Sequence, residues 1–475
     1  MIVCKFGGSS VDGAAGIERV AAILRARLAA RPVVVVSAMA KTTRRLLDCA
    51  EAAAAGNLAA ALAECEELRA FHRRVGEAAV AGGKRPALAA AIERSFGEMC
   101  ALLARLARER RLTPRDADAA AAFGEVLASE ILAAALPGFG VDAAWIDARR
   151  VMVTDGAFTR AQPLYEDTGI RLRAALPPLV ERGTVPVLGG YIGATGDGVV
   201  TTLGKEGSDF SAAIVGAALG VDEIQIWTDV DGILTADPRL VPAARRVATL
   251  SFAESLELAC SGAKKPHPGT LGPASRAGVA IRILNSFDAR GPLGERGEGG
   301  DRMDAGDAGD DPEGTVGTLI GGRVAAANLT PTLKSLACRP NDHLLHVSRG
   351  PATGEAFAAR VVEAVERLRP ALLVLRLDGE GADLALDRAD RLAEARDELA
   401  AAGEVGVLHG RAVVSLVSDD LAADEALVAR VLAAAGEYQP RLVVAGAAAP
   451  AVRCLVELED LPAAVAALHR RLFEQ

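Results

Sequence analysis

Aromatic side chains are scarce in this chain. They make up 3% of its 475 residues, with only two Trp and three Tyr. A core built on stacked rings is therefore excluded, and Ala, Leu and Val must fill it. At 51% hydrophobic residues the material is ample, and the length points to two to four domains. No CxxC pair occurs. The seven cysteines (Cys4, Cys49, Cys65, Cys100, Cys260, Cys338, Cys454) are an odd, scattered set. That argues against a disulfide framework or a structural zinc site, and for reduced thiols. No basic stripe runs along the sequence either. With a formal net charge of −9, nucleic acid is excluded as a main partner. The arginines at Arg105, Arg108, Arg110 and Arg111 read as one solvated helix face. No basic segment followed by an apolar one opens the chain. Arg, Glu or Asp interrupts the Ala-rich runs before they reach membrane-spanning length. The expectation is a soluble cytoplasmic protein that uses neither membrane nor nucleic acid.

What is present begins at the first residues. Ile2-Val3-Cys4-Lys5-Phe6-Gly7-Gly8-Ser9-Ser10 reads as a short strand running into a lysine, a glycine pair and two hydroxyls. Such a loop suits a nucleotide's phosphates, because glycines let backbone N–H groups approach and Lys5 adds a full cation. It has neither P-loop nor GxGxxG spacing. Taken alone, it also fits a plain tight turn.

A helix is predicted over 13–30, with Ile17, Val20, Ala21, Leu24 and Leu28 on one face. Pro32 breaks it, and Val33 to Val36 form an unbroken apolar strand. This βαβ unit implies a parallel sheet with helices on its faces. Residues 46–136 read as helical, with turns at Gly82-Gly83 and Pro114. Strands follow at Val185–Leu188, Glu223–Thr228 and Val279–Leu284, and helices at Asp209–Leu219 and Ser251–Ser261. Residues 288–314 are acidic, Gly-rich and poor in apolar residues, which marks a linker or insertion. Beyond them the pattern gives strand, helix, strand, strand, helix over 344–401, and again over 413–473. Two tandem α+β units fit that tail, and one unrelated α+β domain is the alternative.

Several blocks carry more. VLGGYIG at 187–193, TTLGKEGSDFSAA at 201–213 and IWTDVDGILTADPRLVPAARRV at 226–247 occur together with KFGGSS at 5–10, SAMA at 37–40, FGE at 123–125 and GAKKPHP at 262–268. In that order they resemble the aspartate kinases of the amino acid kinase family. The resemblance covers residues 1–287. It implies an α/β fold, an αβα sandwich with a mainly parallel sheet, followed by tandem α+β ACT-like domains. The divisions would be 1–287 for the kinase domain, 288–314 for an insertion, 315–324 for a returning kinase strand near Gly317–Ile320, and 325–475 for the ACT-like region.

The implied chemistry is phosphoryl transfer from ATP to the side-chain carboxylate of L-aspartate, the first step toward lysine, threonine and methionine. By the resemblance, Lys5 would hold the transferring phosphate and Lys264 would be the second cation. Asp209 would orient both, and it could also serve as a helix N-cap. Gly7, Gly8 and Ser9 would line the phosphate cradle. Thr228, Asp229, Asp237 and Arg239 would meet adenine and ribose. Ser37, Thr43, Glu125, Lys205 and Ser208 would hold the amino acid, with Glu125 on its ammonium. Mg²⁺ would arrive with the nucleotide, and no carboxylate cage for a metal is visible. A homodimer and a lysine or threonine effector at the ACT-like region are implied as well.

Some residues depart from the family pattern. GRGGSD is GKEGSD here, so Lys205 loses the arginine fork and Glu206 replaces a glycine. SAM-x-G-x-TN is SAMAKTTRR, so Lys41 and Arg44 replace Gly and Asn. GAKVLHP is GAKKPHP, and Leu234 stands where an aromatic residue is usual. Lys41 and Arg44 would offset Glu206 if the acceptor is still a dicarboxylate. The alternatives are another acidic acceptor, or a catalytically weak amino-acid sensor on the same scaffold.

Overall fold

The computed structural model describes residues 1–204, 206–263, 266–288, 317–321, 333–341, 344–351, 354–368, 372–386, 391–436, 440, 442–445 and 450–474. The chain divides into two compact units. Met1–Ile233 with Gly269–Gly322 form the first, and Leu234–Pro268 with Arg323–Gln475 form the second.

The first unit is built on β1 (Ile2–Phe6), β2 (Pro32–Val36), β3 (Ala143–Ile146), β4 (Val185–Gly189), β7 (Glu223–Thr228), β9 (Ala280–Asn285) and β10 (Thr318–Ile320). They lie side by side in the order β3-β4-β2-β1-β7-β9-β10, all parallel except β10 against β9. β10 is the returning strand expected near Gly317–Ile320. Every residue of β1, β2 and β4 is buried, as continuous apolar runs require in a sheet covered on both faces. Pro32 opens β2, where its missing N–H costs no ladder bond. A small hairpin, β5 (Ile192–Ala194) with β6 (Val200–Thr202), follows β4. The register sets Phe6 beside Val36 and Trp227, and Val36 beside Gly189. Four strands thus end at one level, so the loops leaving them gather at the carboxyl edge, where open α/β sheets bind ligands.

The helices are α1 (Gly13–Arg25), α2 (Thr42–Ala54), α3 (Leu58–Ala79), α4 (Arg85–Glu109), α5 (Pro114–Ala135), α6 (Ala148–Val151), α7 (Tyr165–Ala175), α8 (Pro177–Glu181), α9 (Gly207–Leu219) and α11 (Pro268–Ala277). α1 stops five residues short of the predicted 13–30. Leu28–Ala30 forms a separate 3₁₀ turn, and Arg31 takes φ 53° ahead of Pro32, which disfavours helical backbone before it. Arg27 also anchors the break, with its Nε 2.9 Å from Gln225 Oε1 and its guanidinium over the Trp227 ring. The helical pattern read over 46–136 is four helices, α2 to α5: the breaks near Gly82-Gly83 and Pro114 fall where the sequence placed them, and a further break after Ala54 separates α2 from α3. α5 is capped by a reciprocal pair, Thr113 and Asp116. Contrary to the sequence reading, the apolar run Pro114–Phe139 is long enough to cross a membrane by length and composition. Its apolar window is instead 78% buried inside the protein, as a central core helix.

The second unit contains β8 (Thr249–Leu250) and α10 (Phe252–Cys260), then β11 (Ser335–Asn341), β12 (Leu344–Arg349), α12 (Gly354–Leu368), β13 (Leu372–Leu377), β14 (Gly381–Leu386), α13 (Leu392–Ala400), β15 (Gly403–Leu408), β16 (Arg411–Val417), α14 (Glu425–Gly436), β17 (Leu442–Ala445), β18 (Ala451–Glu457) and α15 (Leu461–Phe473). Two antiparallel sheets result, β13-β14-β12-β15 and β11-β16-β18-β17. The tandem pattern is therefore nested: β11, which precedes the first α+β unit, completes the sheet of the second. Leu344, Ala385, Val413 and Leu455 form a small core of their own, drawing on both sheets. The acidic stretch lies almost wholly outside the described residues. All seven cysteines are free.

Candidate active site

A cavity of about 720 Å³ opens among loops of the first unit. One side of it is the loop after β1. Lys5, on the last turn of that strand, is 4% exposed, and its Nζ lies 2.5 Å from Oδ1 of Asp209. Asp209 sits in the first turn of α9 and is 1% exposed. A carboxylate there is favoured by the helix dipole. Removing either partner would strand a buried charge, at about 3–5 kcal/mol. Gly7 donates its N–H to the Trp227 carbonyl at 3.0 Å, so it anchors the loop. The N–H groups of Gly8 and Ser9 have no partner among the described residues, and both residues line the cavity. A Cβ on Gly8 would come within 2.6 Å of the Ala38 carbonyl oxygen. Only glycine lets the loops after β1 and β2 meet there.

The other side holds Ser37, Thr43, Glu125 and Ser208, all lining the same cavity. Here too a glycine sets the spacing. A Cβ on Gly124 would fall 2.9 Å from both the Ala38 Cβ and Thr43 Oγ1. That approach brings Glu125 to Thr43, whose Oγ1 lies 3.1 and 3.0 Å from the two carboxylate oxygens. Burial pushes the Glu125 carboxyl up to about 8, against the opposing pull of the Thr43 hydroxyl, the Ala38 N–H and Lys5. That shift favours the protonated carboxyl near neutral pH, and an arriving ammonium would favour its ionised form.

Of the residues named from the sequence, Lys5, Gly8, Ser9, Ser37, Thr43, Glu125 and Ser208 line this cavity, and Asp209 stands behind Lys5. Lys205 and Lys264 lie outside the described residues. Thr228 and Asp229, at the end of β7, do not line it, and the Thr228 hydroxyl bonds Asp229 at 3.0 Å. Asp237 and Arg239 belong to the second unit, where Arg239 Nε lies 3.0 Å from Asp237 Oδ1. Leu234 is there as well, bridged to Arg246. Lys41 and Glu206 both line the cavity, but Arg44 does not. It points to Asp48 at 2.6 Å with its side chain 67% exposed, so of the two it is Lys41 that stands where it can offset Glu206. Sequence reading missed Asp12, Thr159 and Tyr191, which also line the cavity. Tyr191 lies inside the VLGGYIG block, the one signal that could have flagged it.

Backbone strain is concentrated here. Seven non-glycine residues have positive φ among those described, and five of them line the cavity: Ala40 (47°), Lys41 (55°), Thr159 (70°), Tyr191 (66°) and Glu206 (55°). Such backbone costs an L-residue roughly 1–2 kcal/mol. Glycine would adopt such backbone without that cost, yet this chain places charged residues at two of these positions, Lys41 and Glu206.

The model of the amino acid kinase family matches residues 1–285. The chain belongs to the amino acid kinase family. It is 31% identical to the lysine-sensitive aspartokinase 3 of Escherichia coli, across 100% of this chain and 99% of that protein. It is 30% identical to the chloroplastic aspartokinase 1 of Arabidopsis thaliana, across 99% of this chain and 80% of that one. The crystal structure of E. coli aspartokinase III with aspartate and ADP matches with a TM-score of 0.80 at 29% identity, covering all of both chains. The structure of that enzyme with lysine and aspartate matches at 0.75 and 28% identity, covering 100% of this chain and 99% of that one. The family's sheet is thus the frame that brings the β1, β2 and β4 loops of this chain around one cavity.

Proposed function

We propose that this chain is an aspartate kinase, transferring the γ-phosphoryl group of ATP to the side-chain carboxylate of L-aspartate. One observation carries the reading. The buried Lys5–Asp209 pair and the Glu125–Thr43 pair border a single cavity, in a chain similar over its whole length to an enzyme crystallised with aspartate and ADP.

The geometry fits the chemistry. The substrate's side-chain carboxylate is ionised at pH 7, so its attack needs no general base. A carboxylate oxygen bonds to the γ-phosphorus as the β,γ-bridging oxygen leaves with ADP, giving an acyl phosphate. The difficulty is bringing two anions together. Lys5 and the free N–H groups of Gly8 and Ser9 offset that repulsion on the phosphate side. Glu125, held by Thr43, fixes the α-ammonium on the other. Asp209 keeps Lys5 aimed. Among the described residues no three carboxylate, imidazole or thiol groups come together as a metal cage. We expect Mg²⁺ to enter on the nucleotide's phosphates.

Hydroxylamine trapping tests the activity. With ATP, Mg²⁺ and aspartate, an acyl hydroxamate is expected, with far less from glutamate or N-acetylglutamate. No hydroxamate from aspartate would sink the assignment. Product from glutamate instead would favour the other acidic acceptor, which Glu206 at the cavity wall gives some reason to test. The finer reading is a cytoplasmic homodimeric enzyme opening lysine, threonine and methionine synthesis. Lysine is the first effector to try, because a relative was crystallised with it. Inhibition by millimolar lysine supports this, and light scattering reports the dimer.

A further inference from the structure

Of the buried acids on α5, Asp118 and Glu125 lie seven residues apart, and that spacing puts them on one face, two turns from each other. Glu125 belongs to the cavity. Asp118 does not reach it. Asp118 is 1% exposed and has no ion-pair partner among the described residues. Its Oδ2 accepts the Thr159 N–H at 2.9 Å and the Thr202 N–H at 3.0 Å, and its Oδ1 accepts the Thr202 hydroxyl at 2.6 Å.

The donors come from two separate segments. Thr159 sits in the loop between α6 and α7, and Thr202 ends β6. A further bond, from the Ala161 N–H to the Thr202 carbonyl at 2.9 Å, ties the same segments. Both feed the cavity wall. Thr159 lines it with φ 70°, and Gly204, Glu206, Gly207 and Ser208 follow directly from Thr202. Leu203 donates to the carbonyl of Tyr191, another strained lining residue, at 2.9 Å. Strained backbone persists only where its surroundings over-determine it. A buried carboxylate has a large desolvation cost, and three donors aimed at it are what offset that cost. An asparagine could keep these contacts only by turning the Thr202 hydroxyl round to accept from its amide N–H₂, and it would lose the charge that strengthens all three bonds.

We propose that Asp118 is a positioning residue for the kinase reaction: it fixes the acceptor-side wall and so sets affinity for the amino acid without touching it. This rests on reading the cavity as the aspartate site. The test is steady-state kinetics on the full chain carrying Asp118→Asn, Thr202→Val or Thr202→Ser. For D118N the KM for aspartate is expected to rise about tenfold or more, the scale of a lost hydrogen bond to a charged group. The KM for ATP should stay within about twofold of wild type on the same scale. T202V, which removes one donor, should raise the same KM less, and T202S should restore it. A merely structural role would lower the melting temperature and the active fraction while leaving both KM values alone. That result, or an equal rise in both KM values, overturns the proposal. If D118N fails to fold, T202V against T202S decides by the same criterion. A wild-type chain that makes no hydroxamate from aspartate would instead overturn the function itself.

Discussion

The two sides of the cavity are built by opposite means. The phosphate side, Lys5 to Ser9, uses glycines, ordinary strand backbone and one buried ion pair. The acceptor side keeps five non-glycine residues in left-handed backbone, two of them charged. A phosphate presents the same oxygens in every catalytic cycle, so N–H groups and an ammonium suffice. Recognising one amino acid among several needs side chains at set positions, and this chain accepts strain to keep them there.

The largest test of that contrast falls on the phosphate side. Lys5→Met should lower kcat roughly 10²–10³-fold, as loss of a transition-state donor does. It should also lower the melting temperature, because Asp209 is left buried and unpaired. The double variant K5M/D209N should recover the melting temperature but not the rate. A K5M enzyme with normal kcat would break the comparison outright.

The next test falls on the acceptor side. Glu125→Gln should raise the KM for aspartate roughly 10- to 100-fold. In the wild type that KM should fall as pH rises toward 8, because burial holds the Glu125 carboxyl at about 8 and pairing with an ammonium requires its ionised form. E125Q should show no such trend. Stability follows the opposite sign. The folded-state pKa lies above the ordinary value of 4.5. The contribution of Glu125 to stability is thus full below about 4.5 and lost as pH rises through about 8. Thermal scans at pH 9 should find E125Q more stable than wild type.

Support beneath the strained turn gives a smaller effect. The Thr42 hydroxyl donates to the Met39 carbonyl at 2.6 Å, closing the Ala40–Lys41 turn, and buried His72 packs behind it with Nε2 3.5 Å from Thr42 Oγ1. Burial holds the His72 ring down at about 4. Stability from this group is present above about 6.5 and lost as pH falls through about 4, by up to about 3 kcal/mol. Denaturant titrations between pH 7 and 4 should show that slope, and His72→Phe should remove it. Smallest of all, Lys41→Gly and Glu206→Gly should each stabilise the fold by about 1 kcal/mol, by relieving positive φ. Destabilisation by either would mean the strain is offset by contacts of those side chains.

The phosphate side was largely legible in the sequence because it is local. Lys5 through Ser9 is one run, and the all-Val strand beside it announces a parallel sheet. Glu125 and Asp209 were reachable only through their motif blocks, since an isolated Glu in an Ala-rich helix reads as solvated. Asp118 and Thr159 stayed hidden because Asp118's partners lie 41 to 84 positions away, and no local pattern encodes such a pairing; the β5–β6 hairpin is local, but its three-residue strands are too short to show alternation. β11 and β15 were missed for a related reason. Gly403 and Gly406 dilute the alternation of β15, and β11 pairs with a strand 70 or more positions downstream.

That long-range pairing has a mechanical consequence. All seven residues of β11 are laddered to β16, from Ser335 opposite Val417 to Asn341 opposite Arg411. A fragment starting at Leu344 would keep both α+β repeats by sequence yet leave β16 with a bare edge, open to any extended chain nearby. A cut ahead of Lys334 would spare the ladder. A nick between β11 and β12 would leave β11 held to the downstream repeat's sheet by non-covalent bonds alone, and a cut ahead of Lys334 would still part that sheet from Leu234–Pro268, which belong to the same unit.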